Sequence, residues 1–262
     1  MNGTIAVPKL LQEIIPGGSF AFMLVFARLG AALMLIPGLG EVTVNPRVRL
    51  SAALAITLLL LPLVAPTLPP APDQPLALFI LLLNETMVGI FIGAAARLAL
   101  VGLETAGTVI AFQSGLASAQ FFDPTQGSQG ALVASFLSMV GVVMIFATNL
   151  HFLMLQAMAE SYRTFPPSAL PPLGDFAETA VKFVAGSFRI GIQVAAPFIV
   201  YGIVYNVGIG VLNKLMPQVQ ISFLALPLQI GLSLLLLGVT LGAAMTWFLG
   251  YYQDSVSLFL TH

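Results

Sequence analysis

Five ionisable side chains sit inside long apolar runs: Arg28, Glu85, Arg97, Glu104 and Arg189. By insertion scales each costs a few kcal/mol in lipid, about 3 for an arginine at mid-span, so each needs a partner or a wet path. Glu85, Gly89, Gly93 and Arg97 fall four apart and share one stripe of a helix, and Glu104 continues near that face. Gly89 and Gly93 form a G-x-x-x-G contact that admits a second backbone closely. One reading is a polar lining or proton path. The other is a set of charge pairs that fix helix register against partners, and the glycines beside the charges favour it. Gly238 and Gly242 form a second G-x-x-x-G, read as helix packing.

Catalytic constellations are absent from the sequence. His151 has no second histidine within an apolar run, and Asp73, Asp123, Asp175 and Asp254 are isolated. Neither H-E-x-x-H nor G-x-S-x-G occurs. An active site needs convergent titratable groups, so the expectation is a non-enzyme with no cofactor and no metal. A net charge of -1 leaves no footprint for nucleic acid.

The most unusual stretch runs from Glu104 to Gly130. Long apolar runs flank it, but here Gly107, Gly115, Gly127 and Gly130 alternate with Ser, Thr and Gln, and Asp123-Pro124 interrupts any helix. Lipid does not tolerate irregular backbone; protein-buried positions and water-lined cavities do. This stretch is therefore expected to be the moving or sealing part of a conduit. On the residues alone, Phe121-Phe122 reads equally as a plug element or a turn anchor.

Hydrophobic residues make up 58% of the 262 and charged residues 7%, where a soluble domain has about a quarter charged. The expected fold is all-α and of integral membrane type, with about six apolar segments forming long, kinked hairpins. They are 19–37, 48–65, 76–112, 131–160, 176–212 and 221–250, with 251–262 an interfacial tail. Pro16-Gly17-Gly18 is expected to break the chain before the first, and the first span to be retained rather than cleaved as a signal. Residues 62–75 hold six prolines and read as a stiff connector. Run as one helix, 76–112 would be about 55 Å long against a bilayer core of about 30 Å, so it either projects or breaks. Pro197 is expected to kink the fifth segment. Lys9, Arg163 and Lys182 would face one side, Arg47, Arg49 and Lys214 the other. That tie suits a chain positioned by partners more than by insertion. Residues 113–130 and Pro197 would also serve as the two broken helices of a small-solute transporter, the reading from another class.

Several stretches together resemble the FliR family of the type III export gate. They are Gln113-Ser114-Gly115-Leu116-Ala117 through Phe121-Phe122-Asp123-Pro124, then Asn149-x-His151, Asn45-Pro46-x-Val-Arg49, and Glu85 with Gly89 and Gly93. To these add Asn213-Lys214-x-Met-Pro217-Gln218 with Phe223, then Leu226-Pro227-Leu228. The family often carries a lysine after that last pair; here Gln229 follows. The resemblance implies a single export-gate subunit, with residues 1–165 folded like FliP and residues 166–262 a hairpin like FliQ. It implies copies of FliP and FliQ as partners in a closed helical ring, FlhB and FlhA nearby, unfolded secreted proteins as cargo and surrounding lipid. It places the assembly in the bacterial inner membrane at the flagellar basal body, much of it on the periplasmic side. A virulence-type counterpart has the same layout. The implied plug is Gln113, Ser114, Gly115, Leu116, Ala117, Ser118, Ala119, Gln120, Phe121 and Phe122, within a loop 113–130, anchored by Asp123 and Pro124.

Overall fold

Apolar runs far longer than a bilayer is thick can satisfy their backbone only as helix, and helix is what they form. A computed structural model describes residues 7–41, 43–116, 129–167, 169, 173–217 and 221–260. Among them are seven α-helices: α1 Val7–Leu33, α2 Pro46–Val64, α3 Pro75–Gln113, α4 Gln129–Ala147, α5 Leu150–Thr164, α6 Leu173–Leu215 and α7 Ile221–Ser257. A 3-10 turn, Ala65–Thr67, ends the run after α2. Four helices are long and apolar enough to cross a membrane, five if α4 and α5 count as one broken span. The chain is an all-α membrane protein.

α3 is continuous over 39 residues, about 58 Å at 1.5 Å per residue. The alternative of a break inside it does not occur. Three other expectations need correction. α1 runs through Pro16-Gly17-Gly18; a proline removes one hydrogen bond from a helix, which neighbouring turns in such apolar segments absorb. Residues 131–160 are not one helix: Asn149 takes φ 62°, a left-handed conformation Asn tolerates better than most residues, and separates α4 from α5. The last apolar helix does not end at 250: α7 continues through Ser257 into the tail 251–262. Pro197 lies inside α6.

Contacts divide the chain into two units that interleave along the sequence. The first holds residues 1–97, 151–180 and 256–262; the second holds 98–150 and 181–255. In the first, Leu24, Leu29, Leu33, Ile92, Ala96 and Met158 are buried. Phe91 stacks on Phe176 at 4.1 Å between centroids and meets Phe259 edge-on. In the second, Leu100, Leu103, Leu137, Phe198 and Phe248 are buried. Gly107 sits so close to α4 that a Cβ would strike the Ala134 backbone. These units group contacts and do not test the division expected at 165/166.

Much apolar surface stays uncovered by this chain: Leu59 is 74% exposed, Leu235 70% and Val239 83%. A water-soluble monomer rarely shows so much, so lipid or other chains must cover it.

A buried ion pair and the stem of the central loop

In the first unit α3 presents Glu85 and Gly89 to α1. With no side chain at Gly89 the two backbones close up: a Cβ there would run into the Arg28 carbonyl oxygen. One turn on, a Cβ at Gly93 would lie 2.6 Å from the Ala32 carbonyl oxygen. That proximity delivers Arg28 to Glu85. Arg28 Nε donates to Glu85 Oε2 at 2.7 Å and Nη2 to Oε1 at 2.8 Å, a bidentate pair with each side chain 1% exposed. Two further bonds reach the end of α5: Nη1 to Ser161 Oγ at 3.1 Å and Nη2 to the Phe165 carbonyl at 2.8 Å. The Tyr162 ring lies 4.0 Å under the guanidinium carbon. One arginine thus ties α1, α3 and the end of α5, with its charge matched and four of its five N–H groups bonded.

Two turns beyond Gly89, half-buried Arg97 pairs with Glu41 in the connector after α1. Arg49 Nη2 donates to the Glu41 carbonyl at 2.7 Å. Asn45 caps α2, its side chain accepting from the Arg47 amide at 2.9 Å with Pro46 in the first turn. The Asn45-Pro46-x-Val-Arg49 stretch is therefore a helix start plus a brace on the preceding turn.

In the second unit the central loop leaves the end of α3. The last four carbonyls of a helix have no partner within it. Here all four find one. The Ser114 amide donates to Ile110 O at 2.8 Å, the Ser114 hydroxyl to Ala111 O at 3.0 Å and the Gly115 amide to Phe112 O at 3.3 Å. The fourth, Gln113 O, accepts from Gln229 Nε2 of α7 at 2.9 Å. Gly115 has φ +77°, and a Cβ there would lie 3.0 Å from Leu226 and 3.1 Å from Gln229 Oε1, so only glycine turns the chain at this point without strain. The Gln113 side chain lies against α6, where a Cβ at Gly202 would collide with it. Tyr201 OH donates to the Gln229 carbonyl at 2.9 Å, and Tyr205 OH to that of Ala225. The two tyrosines bind α6 to α7 around Pro227.

The remaining residues singled out in the sequence lie apart. Glu104 is half-buried on α3. Arg189 is exposed on α6 beside a cleft of about 310 Å³ that Gln193, Trp247 and Asp254 also line. Gly238 and Gly242 are exposed on α7, and no described atom of this chain lies within 4 Å of a Cβ at either. The helix packing expected there is not with the described residues of this chain, because α7 turns that stripe away from them. Asn213 is half-buried, Lys214 and Pro217 are exposed at the end of α6, and Pro227 lies within α7. Ala117, Ser118, Ala119, Gln120, Phe121, Phe122, Asp123, Pro124 and Gln218 lie outside the described residues, as does the side chain of Phe223. No group of three or more acidic or histidine ligands placed to hold a metal occurs among the described residues.

Residues 19–255 match the family described as bacterial export proteins, family 1. The chain belongs to that family. A flagellar biosynthetic protein FliR of Caulobacter vibrioides is 41% identical over 90% of this chain and 94% of its own length. Those of Pectobacterium carotovorum and Escherichia coli are 31% and 30% identical, over 82% and 83% of this chain and 82% and 81% of theirs. These relatives are named for flagellar biosynthesis, and the family for bacterial export. The Glu85-Gly89-Gly93 stretch is the seat of the Arg28 pair, and the Gln113-Ser114-Gly115 stretch is the closed end of α3.

Sequence reasoning missed the partners: Glu41, Ser161 and Tyr162 around the arginines, and Gly202, Tyr201 and Gln229 around the loop stem. Gln229 stood out only as the residue found where a lysine is common.

Proposed function

We propose that this chain is a structural and gating subunit of the flagellar type III protein export channel, passing unfolded flagellar proteins across the bacterial inner membrane. The observation that carries this reading is the join at Gln113–Gly115. There a rigid helix end, fully satisfied in its hydrogen bonds, hands over to a glycine-rich polar run. Residues 113–122 are the plug and Asp123-Pro124 its return anchor. Small side chains and glycine let such a segment close a lumen and withdraw at low cost.

The lumen is shared. FliP and FliQ copies form a closed helical ring with this chain, and FlhB and FlhA work beside it. Residues 1–165 stand in for one FliP-like element and 166–262 for a FliQ-like hairpin. The exposed stripe with Leu235, Gly238, Val239 and Gly242 on α7 supports this, since small residues in an apolar stripe suit close approach of another helix. Helices of 39, 43 and 37 residues overshoot a bilayer core, in keeping with an assembled gate that lies largely on the periplasmic side. The flagellar names of the relatives favour the flagellar system over the virulence type.

Co-expression with genomic neighbours, followed by native mass measurement, tests the assembly. The reading expects a hetero-oligomer with one or few copies of this chain. A chain stable as a monomer would overturn it.

A further inference from the structure

The geometry points to Gln229 as the positioning residue that fixes where the loop leaves α3, through the hydrogen bond from its carboxamide to Gln113 O, with Gly115 as the pivot beyond it. This inference rests on the reading of residues 113–122 as a plug, and it assigns that plug a fixed root. The argument is one of supply and demand at a helix end. Three of the last four α3 carbonyls are satisfied by the next two residues, Ser114 and Gly115. The fourth is reached by a side chain 116 residues away. Gln229 is itself 9% exposed, and its backbone carbonyl is held by Tyr201. Its amide N–H, with a partial positive charge, meets the negative end of the α3 dipole. Gly115, turned to φ +77°, packs so closely on Leu226 and Gln229 that an added Cβ would lie 3.0–3.2 Å from them. The stem through Gly115 is thus held by the α6–α7 pair.

The donor, rather than the bulk, is the tested property. Gln229→Glu keeps the shape but puts an acceptor against a carbonyl, Gln229→Met keeps the length with no donor, and Gln229→Lys restores a donor. The chain has no cysteine, so a spin label on Leu116→Cys reports that position alone in complexes whose other chains lack cysteine. The expected result is an immobilised label in the parent and in Gln229→Lys, and a narrowed, mobile spectrum in Gln229→Glu and Gln229→Met. If all three variants keep the label as immobile as the parent, or if Gln229→Lys frees it as much as Gln229→Met, the assignment fails. Ion leak through the assembled complex separates this inference from the plug reading. A label freed by Gln229→Met, with no leak from that variant or from deletion of residues 113–119, leaves the anchor standing and removes the plug.

Discussion

Replacing Glu85 by alanine strands a cation. Arg28 is 1% exposed, and Glu85 supplies its matching charge through two bonds of 2.7 and 2.8 Å. Ser161 and the Phe165 carbonyl still accept hydrogen bonds, and the Tyr162 ring still lies below, but these are neutral groups. Breaking a buried pair by removing one member costs about 3–5 kcal/mol, because the survivor stays buried without its counter-charge. That is a large part of a typical folding free energy of about 5–15 kcal/mol. Replacing both, Arg28→Met with Glu85→Met, removes the desolvated charges together and fills the space. Such swaps are commonly neutral or better, so the double variant should recover most of the loss, although Ser161 and the Phe165 carbonyl give up a charge-assisted donor. The measurement is retention of the purified complex by size exclusion after a heat series in mild detergent. Glu85→Ala should dissociate at clearly lower temperature, and the double variant should lie near the parent. The difference should be insensitive to salt, since a pair this buried is barely screened. A Glu85→Ala complex as heat-resistant as the parent, or a double variant worse than the single, would refute the reasoning.

Gly89→Ala must push α1 off α3 at the Arg28 carbonyl, and overpacking of this kind costs about 1–3 kcal/mol; the same melts report it. Gly238→Ala and Gly242→Ala meet no described atom of this chain and each gains helix propensity of about 1 kcal/mol. They should leave the chain's helicity intact while weakening recovery of other subunits in a pull-down. Breaking the half-exposed Arg97–Glu41 pair with Glu41→Gln should cost no more than about 1 kcal/mol, so its melt should sit close to the parent's. Asn149→Gly should be tolerated at φ 62°, whereas Asn149→Val should lower the melting temperature, because a β-branched residue fits that conformation poorly.

How much of this was legible depended on whether cause and effect lie within one helix. The stripe of Glu85, Gly89, Gly93 and Arg97 was readable because a four-residue spacing guarantees a common face. That Arg28 and Glu41 answer it was not, since nothing local says which of the other helices α1 or its connector will meet. The break at Asn149 is hidden because a single left-handed residue leaves the surrounding apolar run unchanged. Pro16-Gly17-Gly18 misleads for the opposite reason: those residues break helices in water, but α1 runs through them. The polar stretch after Gln113 is conspicuous in composition, while its anchor is one glutamine that only the paired α6 and α7 bring within reach.

The central claim is that the segment rooted at Gly115 stoppers a lumen shared by several chains. Its most direct test is conductance across membranes carrying the assembled complex, with and without deletion of Gln113–Ala119. The account predicts assembled complexes of unchanged subunit composition that pass ions and small solutes only when the segment is missing. Equal, low permeability in both would contradict it.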